Sequence, residues 1–214
     1  MDRTAFLSRL RERLAAADDR TLPTAFPPTP ASGSAASSEA FLASLRAVAG
    51  EGAVVDRADL VAAIARVAAT VPADRRFAVV APDAEPFGRQ IDDGLARAGL
   101  EVARPADGTG WREDAARAGL GVTSAVLGVA STGSVLIGSG PDSPRAASIL
   151  PEIHLVLLPA ERLVPGLEEA LETVAALAAT RSNPFLVTGP SRTSDIEMEM
   201  VLGAHGPRAL HVLL

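Results

Sequence analysis

The stretch from Phe77 to Pro105, FAVVAPDAEPFGRQIDDGLARAGLEVARP, decides the fold. FAVVAP (77–82) is a continuous apolar run closed by proline, the pattern of a strand buried on both faces. Pro86 opens a helix at a position where a missing N–H costs nothing. Phe87, Ile91 and Leu95 then fall on one face, and Gly99 ends the helix. LEVARP (100–105) returns as a strand. Strand, helix and strand joined by short turns predict a parallel βαβ unit.

The same grammar extends outward. Upstream, AVVD (53–56) is a short strand candidate, followed by a helix with Leu60, Val61, Ile64, Val67 and Val71 on one face. Downstream, GVTSAVLGVA (121–130) and SVLIG (134–138) are two apolar strands separated by Ser131, Thr132 and Gly133. HLVLLP (154–159), PFLVTGP (184–190) and ALHVLL (209–214) read as further strands. Trp111 opens a helix as a core anchor, and a helix from Pro165 to Thr180 turns Leu167, Leu171, Val174 and Leu177 inward. The expectation is a three-layer α/β domain over residues 39–214, its sheet mixed but mainly parallel and covered by helices on both faces. Ahead of it, Phe6, Leu7, Leu10 and Leu14 mark an amphipathic helix within residues 1–20. Residues 21–38, with Pro23, Pro27, Pro28 and Pro30, form a Pro/Ser-rich linker too poor in apolar groups to pack. Phe41, Leu42, Leu45 and Val48 begin the domain with a short helix.

Composition narrows the function. The chain has 214 residues, 48% of them hydrophobic but 3% aromatic, so its core rests on Leu and Val. Net charge is −6 and no basic stripe is visible, which argues against a nucleic-acid partner. Cysteine is absent, which excludes disulfides, a thiol nucleophile, Cys-ligated zinc and a self-ligated iron–sulfur cluster. His154, His205 and His211 are too scattered for a His-rich metal site, and His154 and His211 read as packing or edge residues. Charges interrupt every apolar pair of the first helix, and no apolar stretch is long enough to span a bilayer. No membrane association is expected, and a cytoplasmic address is.

Three segments offer chemistry. TGPSRTSDIEMEM (188–200) follows a strand, turns at Gly189, and places Ser191, Arg192 and Thr193 before a helix that opens near Ser194. A guanidinium between hydroxyls at a helix start makes a clamp for a small carboxylate or phosphate. The bland reading is a turn and a capped helix, Ser194 with Glu197 forming the capping box and Asp195 pairing Arg192. STGS (131–134) sets Thr132, Gly133 and Ser134 in a turn whose N–H groups and hydroxyls suit an oxyanion, or simply a hairpin. GAHGPR (203–208) lets the backbone come close at Gly206 and offers His205 as a candidate acid or base, or as a structural hydrogen-bonding group. Arg145 reads as a solvated loop cation, and the G-x-G-x-x-G, P-loop and G-x-S-x-G patterns are absent.

Taken in order, GVTSAVLGVASTGSVLI, SILPEIHLVLLPAERLVPGLEEAL and GPSRTSDIEMEMVLGAHGPRALHVLL resemble the lactate utilisation protein C family of LUD domains. The resemblance covers about residues 120–214 strongly and the preceding α/β region loosely. It implies a fold like that of ribose-5-phosphate isomerase, glucosamine-6-phosphate deaminase and the coenzyme A transferases. It also implies a role in oxidising L-lactate to pyruvate within a three-protein system whose partners carry the iron–sulfur clusters, this chain having no cofactor of its own. One departure stands out: the family usually has an acid before the Thr-Gly pair, where this chain has Ser131, and often an Asp where it has Val126. That weakens autonomous catalysis and leaves open whether the chain is an enzyme. The alternative is a non-catalytic assembly or regulatory protein with a degenerate isomerase-like or transferase-like pocket. A free-standing sugar-phosphate isomerase or acyl-coenzyme A enzyme rests on fold analogy. Docking of the first helix on another subunit would make a homo-oligomer.

Overall fold

The computed structural model describes residues 8–9, 36–104, 110–140, 145–180, 183–193, 201–202 and 205–214. The chain divides into two compact units, Met1–Ala31 and Ser32–Leu214, with the boundary inside the proline-rich stretch. Of the predicted N-terminal helix, Ser8 and Arg9 are described and both are helical; the remainder lies outside the described residues. All that follows concerns the second unit.

The first layer is a parallel six-stranded sheet. It contains β1 (Glu51–Ala53), β2 (Phe77–Val80), β3 (Glu101–Ala103), β4 (Leu120–Ser124), β7 (Ile153–Leu157) and β12 (Ala209–Leu213), in the spatial order β1-β12-β7-β4-β2-β3. Register places Gly121 of β4 and Leu210 of β12 on either side of His154 in β7. The α-helices of this unit, among the described residues, are α1 (Ser38–Ala47), which precedes β1, then α2 (Leu60–Ala69), α3 (Gly88–Arg97), α4 (Trp111–Arg117), α5 (Ala146–Ile149) and α6 (Leu167–Ala178). Ser37 caps α1, its hydroxyl accepting the Ala40 amide at 3.1 Å. Gly99, at φ 71°, closes α3 and lets the Leu100 amide return to the Leu95 carbonyl at 3.0 Å.

Period-two alternation sorts the core. Leu120, Val122, Leu155, Leu157 and Leu213 face α2 and α3, where Ile64, Ile91 and Leu95 are fully buried. Phe77 and Val79 face the alanines of α4 and α5, with Trp111 packed alongside. Val156, Leu210 and Val212 face α1 through Phe41, Leu42 and Leu45. Gly121 has no room for a side chain, because a Cβ there would lie 1.8 Å from the Ala147 carbonyl of α5.

A second, four-stranded sheet is mixed, with two antiparallel pairings and one parallel. Its strands are β5 (Leu127–Val129), β6 (Ser134–Ile137), β8 (Leu163–Val164) and β9 (Phe185–Val187), in the order β8-β5-β6-β9. The run 121–130, expected as one strand, is therefore two. The Ala125 amide bonds the Leu157 carbonyl of the first sheet at 2.9 Å, while the Val126 amide bonds Leu136 of the second at 2.8 Å. The chain thus changes sheets between adjacent residues.

Three further expectations shift. The strand expected at 53–56 lies at Glu51–Ala53, because Leu42 and Leu45 press on Gly52 and demand a residue without a side chain there; Val54 is 60% exposed. Pro86 sits inside a 3-10 turn, Pro82–Phe87, and the α-helix starts after it. On α6, Ala170 is buried and Val174 and Leu177 pack on the second sheet, whereas Leu167 and Leu171 stay 38% and 58% exposed. Close approach to Leu127, Val129 and Leu136 selects the small residue for the contact and rotates the leucines outward.

Candidate functional site

The three segments singled out in the sequence meet at the amino edge of the parallel sheet, around the end of α1. Gly133 and Gly189 both have positive φ, 65° and 76°, and both press on α1. A Cβ at Gly133 would lie 2.3 Å from the Leu45 nitrogen, and one at Gly189 2.3 Å from the Val48 carbonyl. The buried Ser134 hydroxyl joins Thr132 Oγ1 and Thr188 Oγ1, each at 2.7 Å, tying the hairpin to the end of β9. The Ser191 amide donates to the Pro207 carbonyl at 2.9 Å, which brings the His205–Gly206 turn against the Ser191 side chain. Arg208, just beyond, pairs with Glu152 at 3.0 Å, and Arg75 reaches the other oxygen of that carboxylate at 3.2 Å.

Arg192 and His205 are exposed on this surface. Arg192 and Thr193 form β10, paired antiparallel with Val201 and Leu202 (β11). Asp195, Glu197 and the helix expected from Ser194 lie outside the described residues. The hairpin amides are spent internally: Ser131 N–H donates to Pro165, and the Thr132 and Gly133 N–H groups to Val129. The turn therefore offers side-chain oxygens rather than a nest of N–H donors.

At the opposite, carboxyl edge lies a cavity of about 490 Å³. Its apolar wall includes Leu60, Phe87, Leu157 and Leu213, and its polar groups are Arg57, Asp83, Ser124, Glu161 and Arg162. Asp83 follows β2 and accepts the amide of Ser124, the last residue of β4, at 3.3 Å. Arg162 donates to the Ala125 carbonyl at 3.1 Å. A second cavity, of about 440 Å³, lies along α2 and the β1–β12 pair, with Arg46, Arg66, Glu51 and His211 in its lining. Burial lowers the His211 pKa, and the charge of Glu51 opposes that shift. Arg192 lines neither cavity.

The sequence pattern of the LUD domain matches residues 38–214, the α/β unit from the first turn of α1 to the end of β12. The chain belongs to the LUD domain family. Proteins named lactate utilization protein C are similar to it. The one from Halalkalibacterium halodurans is 33% identical over 125 residues, 56% of this chain and 54% of that protein. The one from Bacillus subtilis is 32% identical over 105 residues, 47% and 44% of the two chains. An uncharacterised protein of Neisseria meningitidis serogroup B is 35% identical over 94 residues, covering 44% of this chain and 40% of that protein. The chain spans about half the length of the curated relatives it matches. In fold it is similar to a crystal structure of a DUF162 family protein from Deinococcus radiodurans, with a TM-score of 0.57 at 23% identity, covering 82% of this chain and 93% of that one.

Within this LUD domain the candidate turns at 132–134, 189–192 and 205–206 lie on the amino-edge surface, and the carboxyl-edge cavity is what sequence reading missed. A signal was available: Asp83 after β2, Ser124 as the last residue of β4 and Glu161 after β7 are polar residues at the ends of three buried runs. Ligands in open parallel sheets gather beyond such strand ends. His154, expected as a packing or edge residue, lies in the middle of the sheet, 1% exposed, with Nε2 2.9 Å from Thr123 Oγ1 and Nδ1 without a partner. Burial holds its pKa at about 3, so the ring is neutral and plays a packing part. Among the described residues no three His, Asp or Glu side chains converge as a metal-binding set, and no helix is long and apolar enough to cross a membrane.

Proposed function

We propose that this LUD domain serves in lactate utilisation, binding a small carboxylate or a phosphate-bearing fragment on the amino-edge surface. The observation that carries the reading is the convergence of three distant segments, fixed by the 2.7 Å Ser134–Thr188 contact and the 2.9 Å Ser191–Pro207 bond. Folding has brought the segments that carry these hydroxyls against one another, and Arg192 beside Ser191 and His205 beside Gly206 are exposed. Arg192 supplies the charge for the anion, Thr188 and Ser191 supply hydroxyls, and His205 supplies an imidazole for a further hydrogen bond. Proteins named for lactate utilisation are about a third identical to this chain over roughly half its length, which supports the metabolic setting. Lactate oxidation removes two electrons. With no cysteine to ligate a cluster, this chain leaves electron transfer to partners that carry iron–sulfur centres.

Titration of lactate, pyruvate and inorganic phosphate against thermal unfolding tests the reading. A ligand at about 100 times its Kd adds roughly 2.7 kcal/mol to stability, and Arg192→Ala should abolish that gain. Absence of stabilisation by any of the three, in the chain alone and with its partners, would refute ligand binding here. The competing reading, an assembly or regulatory protein, draws support from Ser131 and from a hairpin whose amides bond internally. Under it, Arg192→Ala leaves growth on lactate unchanged.

A further inference from the structure

We infer that the carboxyl-edge cavity is a separate ligand site for an organic anion with a bulky apolar body: a carboxylate or phosphate head on a ring or acyl chain. It does not depend on the amino-edge reading.

The position comes from topology. From β2 the chain moves outward to β3, whereas from β4 the strand order runs the other way, through β7 and β12. The reversal falls between β2 and β4, and connections leaving in opposite directions open a crevice beyond those strand ends. Asp83 and Ser124 stand there, joined by their hydrogen bond, and both line the cavity. The volume of about 490 Å³ is far more than a three-carbon acid fills. It lies within the range of about 300–1,000 Å³ typical of sites for larger molecules.

The lining sets the chemistry. Leu60, Phe87, Leu157 and Leu213 give a wall that is best covered by hydrocarbon or a ring. The lining carries two guanidiniums, Arg57 and Arg162, and two carboxylates, Asp83 and Glu161; Asp83 lies at the strand ends beside the Ser124 amide, whereas at the exposed mouth both arginines meet Glu161 alone. Arg162 is already oriented by its bond to the Ala125 carbonyl, so less freedom is lost when the rest of its fork meets an oxyanion.

Anilinonaphthalene sulfonate, an aromatic body with a fixed anionic head, is the probe for the full chain. Its fluorescence should rise saturably and fall on adding octanoate or octyl phosphate, and whichever competes better identifies the head. Octanol should compete about tenfold more weakly for want of charge, and lactate should not compete. Arg57→Glu removes a cation and Ala160→Trp fills the mouth; each should weaken dye binding by about tenfold or more. Both positions are exposed, and an unchanged melting temperature verifies folding. Arg192→Ala should leave dye binding intact, so this site and the amino-edge site fail separately. Dye uptake without saturation, competition by octanol equal to octanoate, or unchanged affinity in both cavity variants would overturn the proposal.

Discussion

The two edges of the parallel sheet are built on opposite plans. At the amino edge, backbone is pressed against backbone: glycines meet α1, hydroxyls bond one another, and Glu152 is held by two arginines. At the carboxyl edge the chain stands apart, and charged side chains surround an apolar hollow. At the amino edge most hydroxyls and amides hold the loops to one another and Arg192 and His205 stay exposed, whereas the carboxyl edge sets its charged groups around a hollow. A sequence motif can therefore mark a place that folding needs as much as one that binding needs.

The first way to break this contrast is acid. His154 lies near the amino ends of its strands, and its folded pKa of about 3 is below the ordinary 6.5. The unfolded chain therefore takes up the proton first. The contribution is complete above pH 6.5 and is lost as pH falls toward 3, at about 1.4 kcal/mol per pH unit and roughly 4–5 kcal/mol in all. Urea unfolding over that range should show the slope, and His154→Gln, which cannot titrate, should lose it. Next, Gly133→Ala should cost about 2–4 kcal/mol, from its positive φ and from collision with Leu45; a loss below about 0.5 kcal/mol would mean the hairpin is not clamped. Ser134→Ala removes the middle of the hydroxyl chain and should cost about 1–2 kcal/mol, read from the same unfolding curves. Smallest is Arg192→Ala, expected within about 0.5 kcal/mol of the parent because the side chain is exposed. A larger loss would place Arg192 with the clamp rather than with a ligand.

The βαβ core was legible because each buried strand is an unbroken apolar run closed by proline or charge, and Gly99 marks its own helix end. The break at Ala125 was not. Both halves of 121–130 are apolar, and nothing local reveals that consecutive amides bond different sheets. Spacing placed Leu171 inward on α6, but the available gap admitted Ala170 instead. The amino-edge residues were named individually from motif chemistry, whereas their meeting depends on tertiary contacts. The carboxyl-edge cavity escaped because Arg57, Asp83, Ser124 and Arg162 come from separate turns that share no pattern.

The change of sheets at Ala125 has a mechanical side. The carbonyl that anchors Arg162 belongs to the residue feeding β5, and β5 runs, wholly buried, into the hairpin that grips α1. A short buried strand joins its two ends directly, so the wall of the hollow and the clasp at the far side belong to one continuous piece of chain.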